Sequence, residues 1–127
     1  MTAQLEHANI TVSDAQQTAA WMEKIFGWHI RWQGEVLNGA GHSIHVGGKD
    51  SYLALYTPGH VNPPGESSYD TVSGLNHLAV VVEDLDATEA AILDHGFKTE
   101  SHADYEPGRR FYFHDDDDIQ YEVVADL

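Results

Sequence analysis

The sequence contains no cysteine, which excludes disulfides, thiolate metal ligands and a cysteine nucleophile. It is also poor in positive charge: six Lys and Arg stand against 21 Asp and Glu, giving a formal charge of −15 at pH 7. Nucleic acid and anionic membrane surfaces are polyanions, so neither is an expected partner. The acids read instead as a solvated, self-repelling surface. The opening stretch MTAQLEHANI lacks the basic start and apolar run of a secretory signal, and no later run approaches a transmembrane length. A cytoplasmic protein is the expectation. What is present suits one domain, since 127 residues at 42% hydrophobic and 10% aromatic composition suffice to bury a core.

The strongest internal signal is a repeat. QLEHANITVSDAQQTAA near the start matches GLNHLAVVVEDLDATEA at an offset of 70, which superposes His7 on His77, Val12 on Val82, Asp14 on Asp84 and Thr18 on Thr88. In the first copy Leu5 to Val12 predicts a strand, and Ser13 with Gln16 resembles a capping box. Ala15, Ala19, Met22 and Ile25/Phe26 recur at helical spacing until Gly27 stops the helix. WHIRWQG alternates, so Trp28, Ile30 and Trp32 are expected on one face and His29, Arg31 and Gln33 on the other. GHSIHVGG and SYLALYT supply two more strands. A linker over 58–73 holds three of the four prolines. The second copy repeats the order: a strand from Leu75 to Val82, a helix capped near Asp84 or Asp86 and ended by Gly96, then FKTESHAD, RRFYFH and IQYEVVA. The chain therefore predicts an α+β fold of two βαβββ modules, about 1–57 and about 74–127.

A histidine opening the first strand of each module, the Pro/Gly-rich crossover and the terminal QYEVV resemble the vicinal oxygen chelate superfamily. That group includes glyoxalase I, extradiol dioxygenases, fosfomycin-resistance thiol transferases and bleomycin-binding proteins. The resemblance implies an open, eight-stranded, barrel-like sheet around a concave site that holds a divalent metal. It covers nearly the whole chain and speaks to fold more than to reaction. The family's metal positions fall on His7, His77, Ala54 and Glu122. Ala54 cannot coordinate, so the four-ligand pattern of glyoxalase I is incomplete, which weakens an isomerase or lyase reading. Two imidazoles and one carboxylate resemble the dioxygenase pattern and suit Fe2+, with Mn2+, Zn2+ or Ni2+ as alternatives. The resemblance further implies a small-molecule substrate chelating through vicinal oxygens, and a homodimer. A thiol transferase fits less well, because only five residues follow Glu122.

RRFYFH places Phe111 and Phe113 on one face of a strand and Arg110, Tyr112 and His114 on the other. Tyr112 stands ten residues before Glu122, a spacing similar to that of the active-site tyrosine of extradiol dioxygenases. In that role it would hydrogen-bond a bound oxyanion, while Arg110 would hold an anionic substrate group. His60 is similarly placed to a second-sphere histidine of those enzymes. Asp115 to Asp118 read as a hairpin turn, since the spacing and glycine of a calcium loop are missing. His42 and His45 lie on a strand that would border the cup. A different class of function is a metal-free binding protein resembling the bleomycin-sequestering members, its cleft lined by Trp21, Trp28, Trp32 and Tyr69.

Overall fold

The same local devices build each half of the chain. The computed structural model describes residues 1–105 and 108–126. In the first half they form β1 (His7–Thr11), α1 (Ala15–Phe26), β2 (His29–Val36), β3 (Gly41–Gly47) and β4 (Tyr52–Pro58). In the second they form β5 (Leu78–Val81), α2 (Leu85–His95), β6 (Thr99–Tyr105), β7 (Gly108–His114) and β8 (Gln120–Asp126). A single 3-10 turn, Ser68–Asp70, lies between them. The halves separate into two units, 1–62 and 63–127.

Each unit holds one four-stranded mixed sheet, in the orders β1-β4-β3-β2 and β5-β8-β7-β6, and neither sheet is closed into a barrel. The first strand pairs parallel with the fourth in both, and the other pairings are antiparallel. Both helices are capped by the repeated aspartate: Asp14 accepts from the Gln17 N–H at 3.1 Å, and Asp84 from the Ala87 N–H at 3.0 Å. The capping box expected from Ser13 is thus displaced by one residue, because Asp14 is the last extended residue before α1. Gly27 and Gly96 end the helices at φ 70° and 109°, a left-handed conformation that costs other residues strain. The first strands start later than the residue pattern predicts, at His7 and Leu78. Leu5 and Leu75 lie outside them and are exposed.

Alternation sorts each sheet into a helix-covered face and an open one. Ile44, Val46, Leu53 and Leu55 are buried in the first unit, where β3 and β4 pack against α1 with its buried Met22 and Ile25. In the second, Phe111, Phe113, Tyr121 and Val123 are buried on the face that meets α2, with its buried Leu85 and Ile92. The alternation expected of β2 fails at Arg31, where a β-bulge shifts the register between Ile30 and Trp32. Ile30 then pairs with Val46 on the helix side, while Trp32 pairs with His45 on the open side. One extra residue in a strand re-aims the side chains beyond it. Trp21 is buried in the core and meets Phe26 edge-on at 5.4 Å, so it lines no open cleft; Trp28, half-buried, packs on Phe26. Among the described residues no helix is long and apolar enough to cross a membrane.

Candidate functional site

In the second unit the open sheet face gathers a polar group around Glu122. Register places Ala79 and Tyr112 on either side of it across β5 and β7, and His77 immediately precedes β5. The Glu122 side chain is 9% exposed and its two oxygens serve different partners. Oε2 accepts from Arg110 Nη1 at 2.6 Å, while Oε1 lies 3.2 Å from His77 Nε2. The His77 ring also meets the Tyr112 ring edge-on at 5.5 Å. Burial, and then the neighbouring Glu122 charge, push the Tyr112 phenol above its ordinary value, so it remains a protonated donor at neutral pH. Arg110 lies over the Tyr105 ring, its guanidinium carbon 4.8 Å from the ring centre. Its Nη2 is buried and has no hydrogen-bond partner among the described residues.

Other contacts fix the histidine. Tyr69, from the segment before β5, brings its hydroxyl 3.3 Å from His77 Nδ1 and donates to Gln120 Oε1. The consistent assignment has His77 Nδ1–H donating to the Tyr69 oxygen, which leaves Nε2 as the nitrogen beside Glu122.

The first unit repeats the arrangement with different side chains. His7 Nδ1 lies 2.9 Å from Glu6 Oε1, which also accepts from the Tyr52 hydroxyl at 3.3 Å. These bonds, the one from His7 foremost, hold the Glu6 carboxyl below its ordinary value. Nε2 of His7 is left for an external partner. His7 and His45 both stack on Tyr52, at ring separations of 4.9 and 4.7 Å. Burial foremost, then His7 and Arg31, push the His45 imidazole down, which keeps it neutral at neutral pH. The residue of β4 that corresponds to Glu122 is Ala54: Asn9 pairs with Ala54 as Ala79 pairs with Glu122, and His45 faces Ala54 as Tyr112 faces Glu122. Thus the second unit joins a histidine to a carboxylate at this position and the first does not.

Of the residues singled out in the sequence, the second unit brings together His77, Glu122, Arg110 and Tyr112. His7 belongs to the first unit. His60 is exposed in the loop after β4, and His114 pairs with Glu100 at 2.8 Å. His42 is on the helix side, 3.3 Å from Gln33. Among the described residues no group of three or more His, Asp or Glu lies close enough to hold a metal ion. His7 and His77 nevertheless each have Nδ1 engaged by an oxygen of their own unit, the usual arrangement behind a metal-binding imidazole. Sequence reading missed Glu6 as the partner of His7, and placed Tyr69 in an aromatic cleft when its hydroxyl meets His77. Only the adjacency of Glu6 to His7 offered a signal, since the Tyr69 contact depends on how the linker folds back.

The model of the Glyoxalase/Bleomycin resistance protein/Dioxygenase superfamily matches residues 4–123. Comparison with curated protein sequences gives no match. Among solved structures, the glyoxylase/bleomycin resistance protein/dioxygenase domain from Frankia sp. EAN1pec is 20% identical with TM-score 0.83, covering 100% of this chain and 94% of its own. The trypanothione-dependent glyoxalase I of Leishmania major is 18% identical with TM-score 0.78, covering 98% and 87%. An antibiotic binding protein from Streptomyces sp. CB03234 is 18% identical with TM-score 0.76, covering 99% and 98%. Likeness at this identity concerns the fold.

Proposed function

We propose that this chain, which belongs to the glyoxalase/bleomycin resistance protein/dioxygenase superfamily, is a divalent-metal enzyme, dioxygenase-like, acting on a small substrate that chelates through vicinal oxygens. His7, His77 and Glu122 are the proposed metal-binding set, with Fe2+ the best match and Mn2+, Zn2+ or Ni2+ able to use the same donors. The observation that carries the proposal is the approach of His77 Nε2 to Glu122 Oε1 at 3.2 Å, with the other histidine nitrogen tied to Tyr69. Bound there, the ion supplies a Lewis acid for the chelating oxygens. The chain's own groups do the rest. Arg110, paired with Glu122 and with a buried Nη2 that has no partner among the described residues, supplies positive charge for an anionic substrate group. Tyr112, kept protonated, donates to an oxyanion. The resemblance also gives His60 a second-sphere part, which the turnover of His60→Ala tests.

One observation favours a second reading, a metal-free small-molecule binder: Arg110 already neutralises Glu122. Metal analysis of protein purified without chelators decides between them. The enzyme reading expects one ion per chain, and His77→Ala or His7→Ala is expected to weaken metal binding by about a hundredfold or more while the fold persists. Tyr69→Phe is expected to weaken it about tenfold, as loss of an outer-sphere partner does. Full metal affinity in His77→Ala would remove that residue from the site.

A homodimer is the proposed assembly. The first strands β1 and β5 are sheet edges, and Val81 on β5 is a large exposed apolar residue, a combination that paired subunits cover. Sedimentation at micromolar concentration is expected to show the dimer; monomer alone would contradict it.

A further inference from the structure

The bulge at Arg31 places two neighbouring residues, Arg31 and Trp32, where the rings of the first sheet's open face lie. The Arg31 guanidinium carbon sits 4.4 Å from the centre of the Tyr52 ring. Trp32 lies 5.0 Å from His45, and is 47% exposed. Its indole is seated against its own strand at Gly34, where an added Cβ would come 2.9 Å from Trp32 Cζ2. The absence of a side chain at Gly34 is therefore what lets the edge of the indole rest over that residue.

The charge at this place is equally specific. In a chain with 21 acids and six bases, Arg109 and Arg110 are paired with Asp86 and Glu122. Arg31 makes no ion pair among the described residues. Glu6, the acid of this ring cluster, is hydrogen-bonded by His7 and Tyr52 and feels the Arg31 charge without forming an ion pair with it. Arg31 is exposed, and a guanidinium resting over a ring leaves its planar N–H fork free to receive a carboxylate through two parallel bonds.

We propose that this face of the first unit is a receptor for planar aromatic carboxylates, with the carboxylate on Arg31 and the ring on Trp32. An aromatic ring gives the indole a π-face to stack on, and the carboxylate answers the only unpaired guanidinium among the described residues. Residues of the first unit alone take part, and the metal has no role in it.

Calorimetric titration of the full chain in the presence of a chelator tests it, with 2-naphthoate, uncharged 2-naphthamide and non-aromatic cyclohexanecarboxylate as probes. Naphthoate is expected to bind at one site per chain, and about tenfold or more tighter than either other probe. Arg31→Gln should lower naphthoate to the level of naphthamide and leave naphthamide unchanged. Arg31→Lys, which keeps the charge without the fork, should fall between. Trp32→Leu should weaken both naphthalene probes, and Gly34→Ala, which pushes the indole off its seat, should do the same without removing either side chain. Circular dichroism of each variant confirms its fold. Equal binding of naphthoate and naphthamide, naphthoate binding unchanged in Arg31→Gln, or no binding at millimolar probe would each overturn the proposal.

Discussion

Glu122→Ala is expected to destabilise the protein by about 3–5 kcal/mol, as removal of one member of a buried ion pair does, and to abolish specific metal binding. The pair is well formed, at 2.6 Å with side-chain exposures of 11% and 9% for Arg110 and Glu122. Without the carboxylate, Arg110 keeps its buried charge and loses the partner of Nη1, while Nη2 already has none. The opposite truncation separates the structural from the metal-binding role. Arg110→Met leaves Glu122 with one oxygen toward His77 and no cation on the other, so it also destabilises the metal-free protein. A divalent ion supplies a cation to that carboxylate, so metal should stabilise Arg110→Met more than it stabilises the original chain. Saturation at a hundred times Kd contributes about 2.7 kcal/mol by mass action alone. Thermal melts with and without Mn2+ measure the difference. An equal metal-induced rise in Tm for Arg110→Met and Glu122→Ala would show that Glu122 is no ligand.

Asp115→Ala is expected to cost about 2–4 kcal/mol, a large effect for a residue inside a run of four aspartates. Asp115 is the buried member of that run. Its Oδ1 accepts from the N–H groups of Asp117 and Ile119 at 2.9 and 3.0 Å, and its Oδ2 from the buried Tyr121 hydroxyl at 2.9 Å. These bonds shape the β7–β8 turn and thereby set Tyr112 opposite Glu122. Asp115→Asn retains an acceptor for both N–H groups and an amide for the tyrosine, so its cost is expected to stay below about 1 kcal/mol at neutral pH.

Burial pushes the Asp115 carboxyl above its ordinary value, against the pull of its hydrogen bonds. A raised folded-state pKa means the folded chain holds this proton longer than the unfolded one. The associated stability is complete below about pH 4, the unfolded value, and is lost as pH rises through the folded value. The stability of the original chain relative to Asp115→Asn should therefore fall over that interval. Urea unfolding of both proteins across the interval measures it, and a gap independent of pH would refute the upward shift of Asp115.

The repeat made much of this legible, because a duplicated strand, aspartate cap and terminal glycine carry the same backbone demands in both halves. His77 was readable from the same repeat and Glu122 from the likeness of the terminal QYEVV to the family, while Arg110 and Tyr112 were placed on one face because Phe111 and Phe113 alternate with them into the core. The bulge at Arg31 was not. An extra residue changes the facing of a strand without altering its composition, so WHIRWQG alternates in sequence and not in space. Nor did Asp115 stand apart from Asp116, Asp117 and Asp118, because its selection depends on the Tyr121 hydroxyl reaching it. Glu6 and Tyr69 act through the second nitrogen of a histidine, and hydrophobic periodicity carries no information about that atom.

Ala54, the counterpart of Glu122, is 1% exposed and faces His45 across β3 and β4. A glutamate at position 54 would have to displace His45, and with it the rings of Tyr52 and Trp32 that rest on it. An acid at this place in the first unit would therefore need the ring cluster around it to repack. The two halves share a plan and fill the same register position oppositely, the second with a carboxylate held by a buried ion pair and the first with an alanine roofed by aromatic rings.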